Sequence, residues 1–148
     1  SDEDVEAVIN AIKDGTLDCI VTDHAPHAEE DKNLEFDRAA NGISGLETSL
    51  AAAYTYLVKP GHISMRKLVE IMSKNPARVI RIEENRLMVG AKANLTIFNP
   101  DLEWIVDSSK FYSKGKNTPF NSKKLYGFVE ATVVNGKLIY MKETGICL

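Results

Sequence analysis

The sequence predicts an α/β fold that gives way to a β-rich region in the last third of the chain. Three observations support this. An amphipathic helical pattern is followed after Gly15 by the apolar run 17–21, which is the helix-then-strand order of an α/β unit. Apolar residues at helical spacing return between residues 46 and 72. After about residue 84 the pattern changes to short alternating runs around Asn135-Gly136.

The first helix is predicted from apolar residues at positions i, i+3, i+4 and i+7, namely Val5, Val8, Ile9 and Ile12. Ser1 or Asp2 can cap its start, and Gly15 can end it. Residues 17–22 are then expected to form a central, buried parallel strand, because they are apolar along most of their length.

The middle of the chain is predicted to be helical after a long polar loop, residues 28–43. Ser44 and Glu47 have the spacing of a capping box. The helix that follows has one apolar face and is expected to stop at Pro60-Gly61; this face contains Leu46, Leu50, Tyr54 and Leu57.

Two further helical stretches are predicted before the pattern changes. One runs from about Ser64 to Ser73. Asn75-Pro76 is expected to restart a short helix, with Asn75 as its cap and Pro76 in its first position.

The last third is predicted to be a small β-region with no evident chemistry of its own. Strands are expected at 95–98 and 102–106, and residues 107–124 are expected to form a loop. Asn135-Gly136 predicts a two-residue hairpin turn between strands 128–134 and 137–140.

Length and composition restrict the possible classes of protein. The 148 residues suit one ordinary domain and are too few for a complete (β/α)8 barrel of about 250 residues. The net charge of −3 is spread among interspersed acids and lysines, which argues against a nucleic-acid partner. No apolar run reaches the roughly 20 residues of a membrane span, and no signal peptide opens the chain. Cys19 and Cys147 are far apart and are expected to be reduced, as in a cytoplasmic protein.

The string Thr-Asp-His-Ala-Pro-His at residues 22–27 is the strongest candidate for chemistry. It follows the predicted strand, and strand C-terminal ends are where α/β barrels and open α/β sheets place their reactive groups. Asp23 could ligate a metal ion and shuttle a proton, and His27 could hold a carboxylate or act as an acid or base. Isolated His and Asp residues in loops are more often structural, so chemistry alone leaves both interpretations open.

A wider set of motifs resembles one family. In order along the chain they are residues 22–27, 42–47 (Gly-Ile-Ser-Gly-Leu-Glu), 75–78 (Asn-Pro-Ala-Arg), 116–120 (Lys-Asn-Thr-Pro-Phe) and 134–137 (Val-Asn-Gly-Lys). Together they resemble the bacterial type I dihydroorotases of the amidohydrolase superfamily. The resemblance runs along essentially the whole chain.

The resemblance implies a particular architecture. Residues 1–82 would be the C-terminal part of a (β/α)8 TIM-type barrel, and residues 83–148 the C-terminal share of a small β-sandwich. Residues 1–14 would be the seventh helix, 17–22 the eighth strand and 45–58 the helix that closes the barrel. The family's His-x-His and other metal ligands would lie upstream of this chain.

The resemblance also implies site roles and a reaction in de novo pyrimidine biosynthesis, the reversible cyclisation of N-carbamoyl-L-aspartate to dihydroorotate. Asp23 would ligate one of two zinc ions and act as the general base between zinc-bound hydroxide and the leaving amide nitrogen. His27 would hold the substrate's α-carboxylate, and Asn41 and Gly42 would offer backbone groups to the pyrimidine ring. Many relatives have Pro-Phe-Gly where this chain has Ala-Asn-Gly at 40–42, and His24 is expected to be structural.

Two alternatives remain open at this point. Hydantoinases and allantoinases share the aspartate but generally lack the second histidine of the string. The second alternative is a catalytically inactive dihydroorotase-like scaffold for aspartate transcarbamoylase, which would lack the upstream His-x-His metal ligands. Expected partners are the small substrate, the upstream part of the same enzyme, and either a second copy or an aspartate transcarbamoylase. The isolated chain is expected to be inactive, and residues 1–82 are not expected to form a well-packed monomer alone, because the strands flanking 17–22 would be missing.

Overall fold

The computed structural model describes residues 1–82 and 86–142, together with the backbone of residues 145–146. Within them a helical half precedes an antiparallel sheet. The elements are α1 Asp2–Asp14, α2 Glu29–Lys32, α3 Ser49–Ala53, α4 Met65–Val69, α5 Asn75–Val79, β1 Leu95–Ile105, β2 Lys124–Val134, β3 Lys137–Met141 and β4 Gly145–Ile146. No helix in this part of the chain is both long enough and apolar enough to cross a membrane.

Helix α1 confirms the predicted first helix and its caps. The Ser1 hydroxyl accepts a hydrogen bond from the Asp4 amide, and Gly15 ends the helix with φ 88°. Its apolar face is only partly covered, however. Ile12 is buried, whereas Val5 and Val8 are 60% and 50% exposed. The helix therefore packs on the rest of the described chain mainly through its last turns.

The prediction of a buried strand at residues 17–22 is wrong for the described structure. The segment forms no ladder, because none of the described strands lies beside it. It is held by the helices instead: the Ile20 amide donates to the Ile71 carbonyl at 2.9 Å, and Asn75 Nδ2 donates to the Asp18 carbonyl at 2.7 Å. Val21 is 77% exposed, so the apolar sequence is present without the neighbours that would bury it.

Residues 65–79 form one continuous helical segment rather than two helices. Ser64 caps its start, as the predicted helix from about Ser64 requires, by accepting from the Lys67 amide at 3.1 Å. A π-helical turn, Glu70–Lys74, connects α4 to α5. Asn75 has helical angles (φ −67°, ψ −46°), so its predicted role as a cap is wrong. The altered hydrogen-bond spacing of the π-turn accommodates the missing amide hydrogen of Pro76 without ending the helix.

The predicted capping box at Ser44 and Glu47 is also wrong. A short 3-10 turn, Leu46–Thr48, leads into α3. Its N-cap residue is Gly45, which has no side chain to cap it. Both side chains bind the segment at residues 111–117 instead. The Ser44 hydroxyl donates to the Gly115 carbonyl, and the Glu47 carboxylate accepts from the amides of Tyr112 and Ser113.

The β-region is a four-stranded antiparallel meander in the order β1-β2-β3-β4. The two strands predicted at 95–98 and 102–106 are one strand, β1, whose pairing with β2 shifts register between Asn99 and Glu103. The predicted hairpin is confirmed, with φ of 50° at Asn135 and 79° at Gly136 as a type I′ turn requires. The described strands form a single sheet, so the second layer of a β-sandwich is not seen among them.

Helix α3 joins two small cores. Ala53 packs into the helical core, whose other buried members are Ile12, Ile63, Leu68 and Ile71. Ala51 packs into a second core against the sheet, with Val106, Phe111 and Leu125. The π-helical turn after α3, Tyr54–Val58, adds polar contacts: the Thr55 hydroxyl accepts from the Tyr126 amide at 2.8 Å and donates to its carbonyl at 3.3 Å. The sheet is thus attached directly to the helix that follows the candidate site.

Candidate active site

Asp23 directly follows the segment 17–22. Its backbone is left-handed, with φ 43°, which is uncommon for a residue other than glycine and marks functional or turn positions. The residue is exposed. Among the described residues, none forms a hydrogen bond or ion pair with its carboxylate. The turn therefore presents Asp23 outward with its oxygen atoms available to a ligand.

His24 has the structural role expected of it. Its Nδ1 accepts hydrogen bonds from the amides of Gly45 and Leu46, at 3.1 and 3.3 Å. These amides lie at the start of the helical segment formed by residues 46–58 and have no acceptor within it. The imidazole therefore accepts hydrogen bonds from amides that the Ser44 side chain does not bind. Accepting at Nδ1 places the ring proton of a neutral His24 on Nε2. His24 therefore fixes the start of this helical segment.

His27 is half-buried at the far end of the same loop. Within the described part of the chain, no hydrogen bond engages its imidazole. Its backbone is tightly packed, because a Cβ atom built on Gly115 would lie 2.9 Å from the His27 carbonyl oxygen and 2.7 Å from Pro26 Cβ. The peptide around His27 is therefore constrained while its ring is left free.

The predicted pair Asn41 and Gly42 does come up against this loop. The Ala25 amide donates to the Ile43 carbonyl at 2.9 Å, and His24 and Ile43 form an isolated parallel bridge. Gly42 has φ 106°, and a Cβ atom there would lie 2.5 Å from Ala25 Cβ. Only glycine allows this approach. The structure thus brings the loop of Asp23 and His27 next to the loop of Asn41 and Gly42.

Lys32, on α2, holds the second loop and was not identified from the sequence. Its ammonium donates to the Ala40 carbonyl and, at 3.0 Å, to the Gly42 carbonyl. These bonds hold the carbonyl groups of the residues before and after Asn41, whose side chain is exposed. In the sequence, Lys32 stands among six other charged residues of the polar loop 28–43, so no pattern distinguishes it.

Residues 111–117 form the third component of the site, and only part of this segment was singled out by a sequence motif. The Ser44 amide donates to the Asn117 carbonyl at 2.8 Å, and Asn117 Nδ2 donates to the Gly42 carbonyl at 3.5 Å. Asn117 belongs to the Lys-Asn-Thr-Pro-Phe motif, which supported the family resemblance without revealing a role. The region predicted to be a plain loop therefore contacts both site loops.

The available donors match only part of a metal site. Nowhere in the described residues do three His, Cys, Asp or Glu side chains converge. Asp23 offers one free carboxylate, whereas zinc is usually held by three or four protein ligands. Cys19 is a poor candidate, because burial and the neighbouring Asp18 raise the pKa of its thiol and keep it protonated. A metal ion bound at Asp23 would need further donors from outside the described residues.

A cavity of about 460 Å³ lies elsewhere, between the start of the 46–58 helical segment and the sheet. Its walls are mainly apolar and include Phe98, Trp104 and Phe128. None of the predicted site residues lines it. The cavity is therefore separate from the candidate active site.

Comparison with known sequences places the chain among enzymes of one family. The model of the amidohydrolase family matches residues 1–139. The dihydroorotase of Caldanaerobacter subterraneus is 52% identical over 141 residues, which are 95% of this chain and 32% of that protein. The dihydroorotase of Acetivibrio thermocellus is 52% identical over 140 residues, 95% of this chain and 33% of that protein. The chain thus spans about a third of the length of these relatives.

Solved structures give a consistent result. The L-hydantoinase of Arthrobacter aurescens superposes with a TM-score of 0.85 at 32% identity, over 95% of this chain and 32% of that one. The dihydropyrimidinase of Brevibacillus agri superposes with a TM-score of 0.86 at 21% identity, over 94% of this chain and 32% of that one. The mixed helix-and-strand arrangement described above is therefore one that recurs in larger enzymes.

Proposed function

This chain belongs to the amidohydrolase family, and we propose from that premise that it is the C-terminal portion of a dihydroorotase. The whole protein would interconvert N-carbamoyl-L-aspartate and dihydroorotate. One observation carries this proposal: identity of about 50% to dihydroorotases extends over 95% of the chain. The presentation of Asp23 and His27 on one short loop, beside Gly42, supports it.

We assign residues 1–82 to the C-terminal part of a (β/α)8 barrel and residues 83–148 to a β-sandwich. The exposed face of α1 and the exposed Val21 support the first assignment, because both are apolar surfaces that a barrel would cover. The single four-stranded sheet would be one layer of the sandwich. The remaining strands and helices would come from the rest of the protein.

Asp23 is proposed as the general base and as one metal ligand. In ring opening, its carboxylate takes a proton from the attacking water and delivers it to the leaving amide nitrogen. In ring closure, it takes the proton from the attacking carbamoyl nitrogen and passes it to the carboxyl oxygen that leaves as water. A carboxylate that is exposed and has no partner among the described residues is suited to this exchange. Bound zinc, proposed as a pair of ions, would supply Lewis-acid activation of the water and the carbonyl.

His27, Asn41 and Gly42 are proposed to bind the substrate. His27 would donate a hydrogen bond to the α-carboxylate, for which its imidazole is unengaged among the described residues. Asn41 and Gly42 would offer backbone groups to the ring. Because Lys32 already occupies the Gly42 carbonyl, the amide hydrogens of this turn are the groups best placed to serve the ring.

The proposal is tested with the full-length protein, by measuring ring opening of dihydroorotate with and without added zinc. Asp23→Asn should lower kcat by about 10²-fold or more, since a general base is lost at constant size. Asp37→Asn, which changes an exposed aspartate of the neighbouring 28–43 loop, should leave kcat unchanged. Equal kcat in the two variants would remove Asp23 from the reaction.

The runner-up is a cyclic-amide hydrolase of the hydantoinase type, favoured by the 32% identity to an L-hydantoinase. The same assay with hydantoin in place of dihydroorotate separates the two, because hydantoin carries no α-carboxylate for His27. Faster turnover of hydantoin would replace our proposal with this one. A folded protein that turns over neither compound would instead indicate a non-catalytic scaffold.

A further inference from the structure

The segment 111–117 leaves the β-region and reaches the candidate active site. It is anchored at its start, because Phe111 lies in the core between α3 and the sheet. Glu47 holds its middle by accepting from the amides of Tyr112 and Ser113, at 2.8 and 3.0 Å. Lys116 folds back and donates to the Phe111 carbonyl, which closes the segment on itself. These bonds give the segment a fixed shape.

The end of the segment contacts both site loops, one through Ser44 and the other through Gly115. The Ser44 hydroxyl donates to the Gly115 carbonyl, and the Ser44 amide donates to the Asn117 carbonyl at 2.8 Å. Ser44 is only 2% exposed, so these are buried bonds whose loss is costly. Through Ser44 the segment therefore fixes the chain immediately after Gly42.

Gly115 packs directly against the loop that carries His27. A Cβ atom at this position would lie 2.7 Å from Pro26 Cβ, 2.9 Å from Pro26 Cα and 2.9 Å from the His27 carbonyl oxygen. Two of these neighbours are backbone atoms, which cannot move aside as the end of a flexible side chain can. Gly115 is buried and is outside the left-handed region, so its lack of a side chain matters for space and not for backbone angles.

We propose that Gly115 is a positioning residue for His27. Because Gly115 has no side chain, its backbone packs directly against Pro26 and His27. This contact sets the position at which the His27 imidazole binds the substrate carboxylate. The β-region thus takes part in substrate selection without touching the substrate. This inference rests on the proposed role of His27.

The test is a double-mutant cycle in the full-length protein, with ring opening of dihydroorotate as the assay. Gly115→Ala should raise KM about 10- to 100-fold with a smaller effect on kcat, since displacing a binding group by about 1 Å can cost 10²-fold. In a His27→Ala background, Gly115→Ala should raise KM no further, because the group it displaces is already gone. Lys114→Ala, at the exposed neighbouring position, is the matched control and should match the unchanged protein.

Equal additional losses from Gly115→Ala in both backgrounds would overturn the inference and leave Gly115 a general structural glycine. If Gly115→Ala does not fold, Ser44→Ala takes its place in the cycle, because it removes only the hydroxyl that holds the Gly115 carbonyl. If the unchanged protein does not act on dihydroorotate, the proposed function fails, and NMR of the His27 ring then decides the positioning role. Its signals should shift in Gly115→Ala and not in Lys114→Ala; unshifted signals in both would refute it.

Discussion

Replacing Gly42 by alanine tests the contact that joins the two site loops. Gly42 has φ 106°, and an added Cβ atom would lie 2.5 Å from Ala25 Cβ and 3.1 Å from the Ala25 carbonyl oxygen. Alanine therefore meets two separate penalties, one from the backbone angle and one from the contact. Gly61→Ala is the matched control, because Gly61 has φ 84° and nothing within 4 Å of the added atom.

The two penalties can be estimated separately. A residue with a side chain at such a backbone angle costs roughly 1–3 kcal/mol. Forcing a methyl group into occupied space costs about 1–3 kcal/mol more. Gly61→Ala should incur only the first penalty. The local destabilisation of Gly42→Ala should therefore exceed that of Gly61→Ala by about 1–3 kcal/mol, or roughly 5- to 150-fold in a local opening equilibrium.

Hydrogen exchange in the full-length protein measures each local opening. The Ala25 amide, which donates to the Ile43 carbonyl at 2.9 Å, reports on the Gly42 contact. The Ile63 amide, which donates to the Leu57 carbonyl at 3.1 Å, reports on the turn at Gly61. Exchange at Ala25 in Gly42→Ala should accelerate more than exchange at Ile63 in Gly61→Ala, by the factor given above.

An equal acceleration in the two variants would mean that the contact with Ala25 contributes nothing and that only the backbone angle matters. Unchanged exchange at Ala25 would refute the reasoning as a whole, because the loops would then be independent. Loss of activity alone would decide neither point, since both loops belong to the proposed site.

Three further outcomes are expected. His27→Ala in the full-length protein should cost roughly 1.5–3 kcal/mol in kcat/KM for dihydroorotate, as loss of a charge-assisted hydrogen bond does; an equal loss with carboxylate-free cyclic amides would contradict the assignment. Thr55→Val removes the hydroxyl that binds the Tyr126 amide and carbonyl, and it should lower local stability by about 1–3 kcal/mol. Hydrogen exchange of the Tyr126 amide should therefore accelerate in Thr55→Val and stay unchanged in Thr55→Ser, which keeps the hydroxyl. The 148-residue chain alone should show no zinc-dependent turnover and should self-associate in size-exclusion chromatography, because Val5, Val8 and Val21 are exposed; a monodisperse monomer with protected amides at 21–22, which have no acceptor among the described residues, would argue against a barrel fragment.

Local patterns predicted the local structure well. The caps of α1 and the Asn135-Gly136 turn each depend on residues within a few positions of one another, and both are present. The strand at 17–22 failed because a strand exists only with neighbours, and apolar sequence alone cannot supply them. The capping box failed because the long-range partners of Ser44 and Glu47 compete successfully with the local ones.

The same distinction applies to the candidate site. Asp23, His27 and Gly42 were predicted from contiguous motifs, and the structure brings their two loops together. Lys32, Ser44 and Gly115 act through backbone carbonyls or through the absence of a side chain. Neither feature leaves a pattern of charge or hydropathy in the sequence, so the supporting roles of these residues could be found only from the structure, although Ser44 had been predicted in a different role.

The bond between Ser44 and Gly115 spans 71 residues, and this separation has a consequence for biosynthesis. A ribosome adding about 5–20 residues per second needs roughly 4–14 s to proceed from one to the other. During that interval Asp23, His27 and Gly42 have already been made, but the segment that holds their loops has not. The two loops of the candidate site therefore acquire this arrangement only after residues 111–117 have been made, and a nascent chain that stalls before residue 111 carries Asp23 and His27 without the segment that holds their loops.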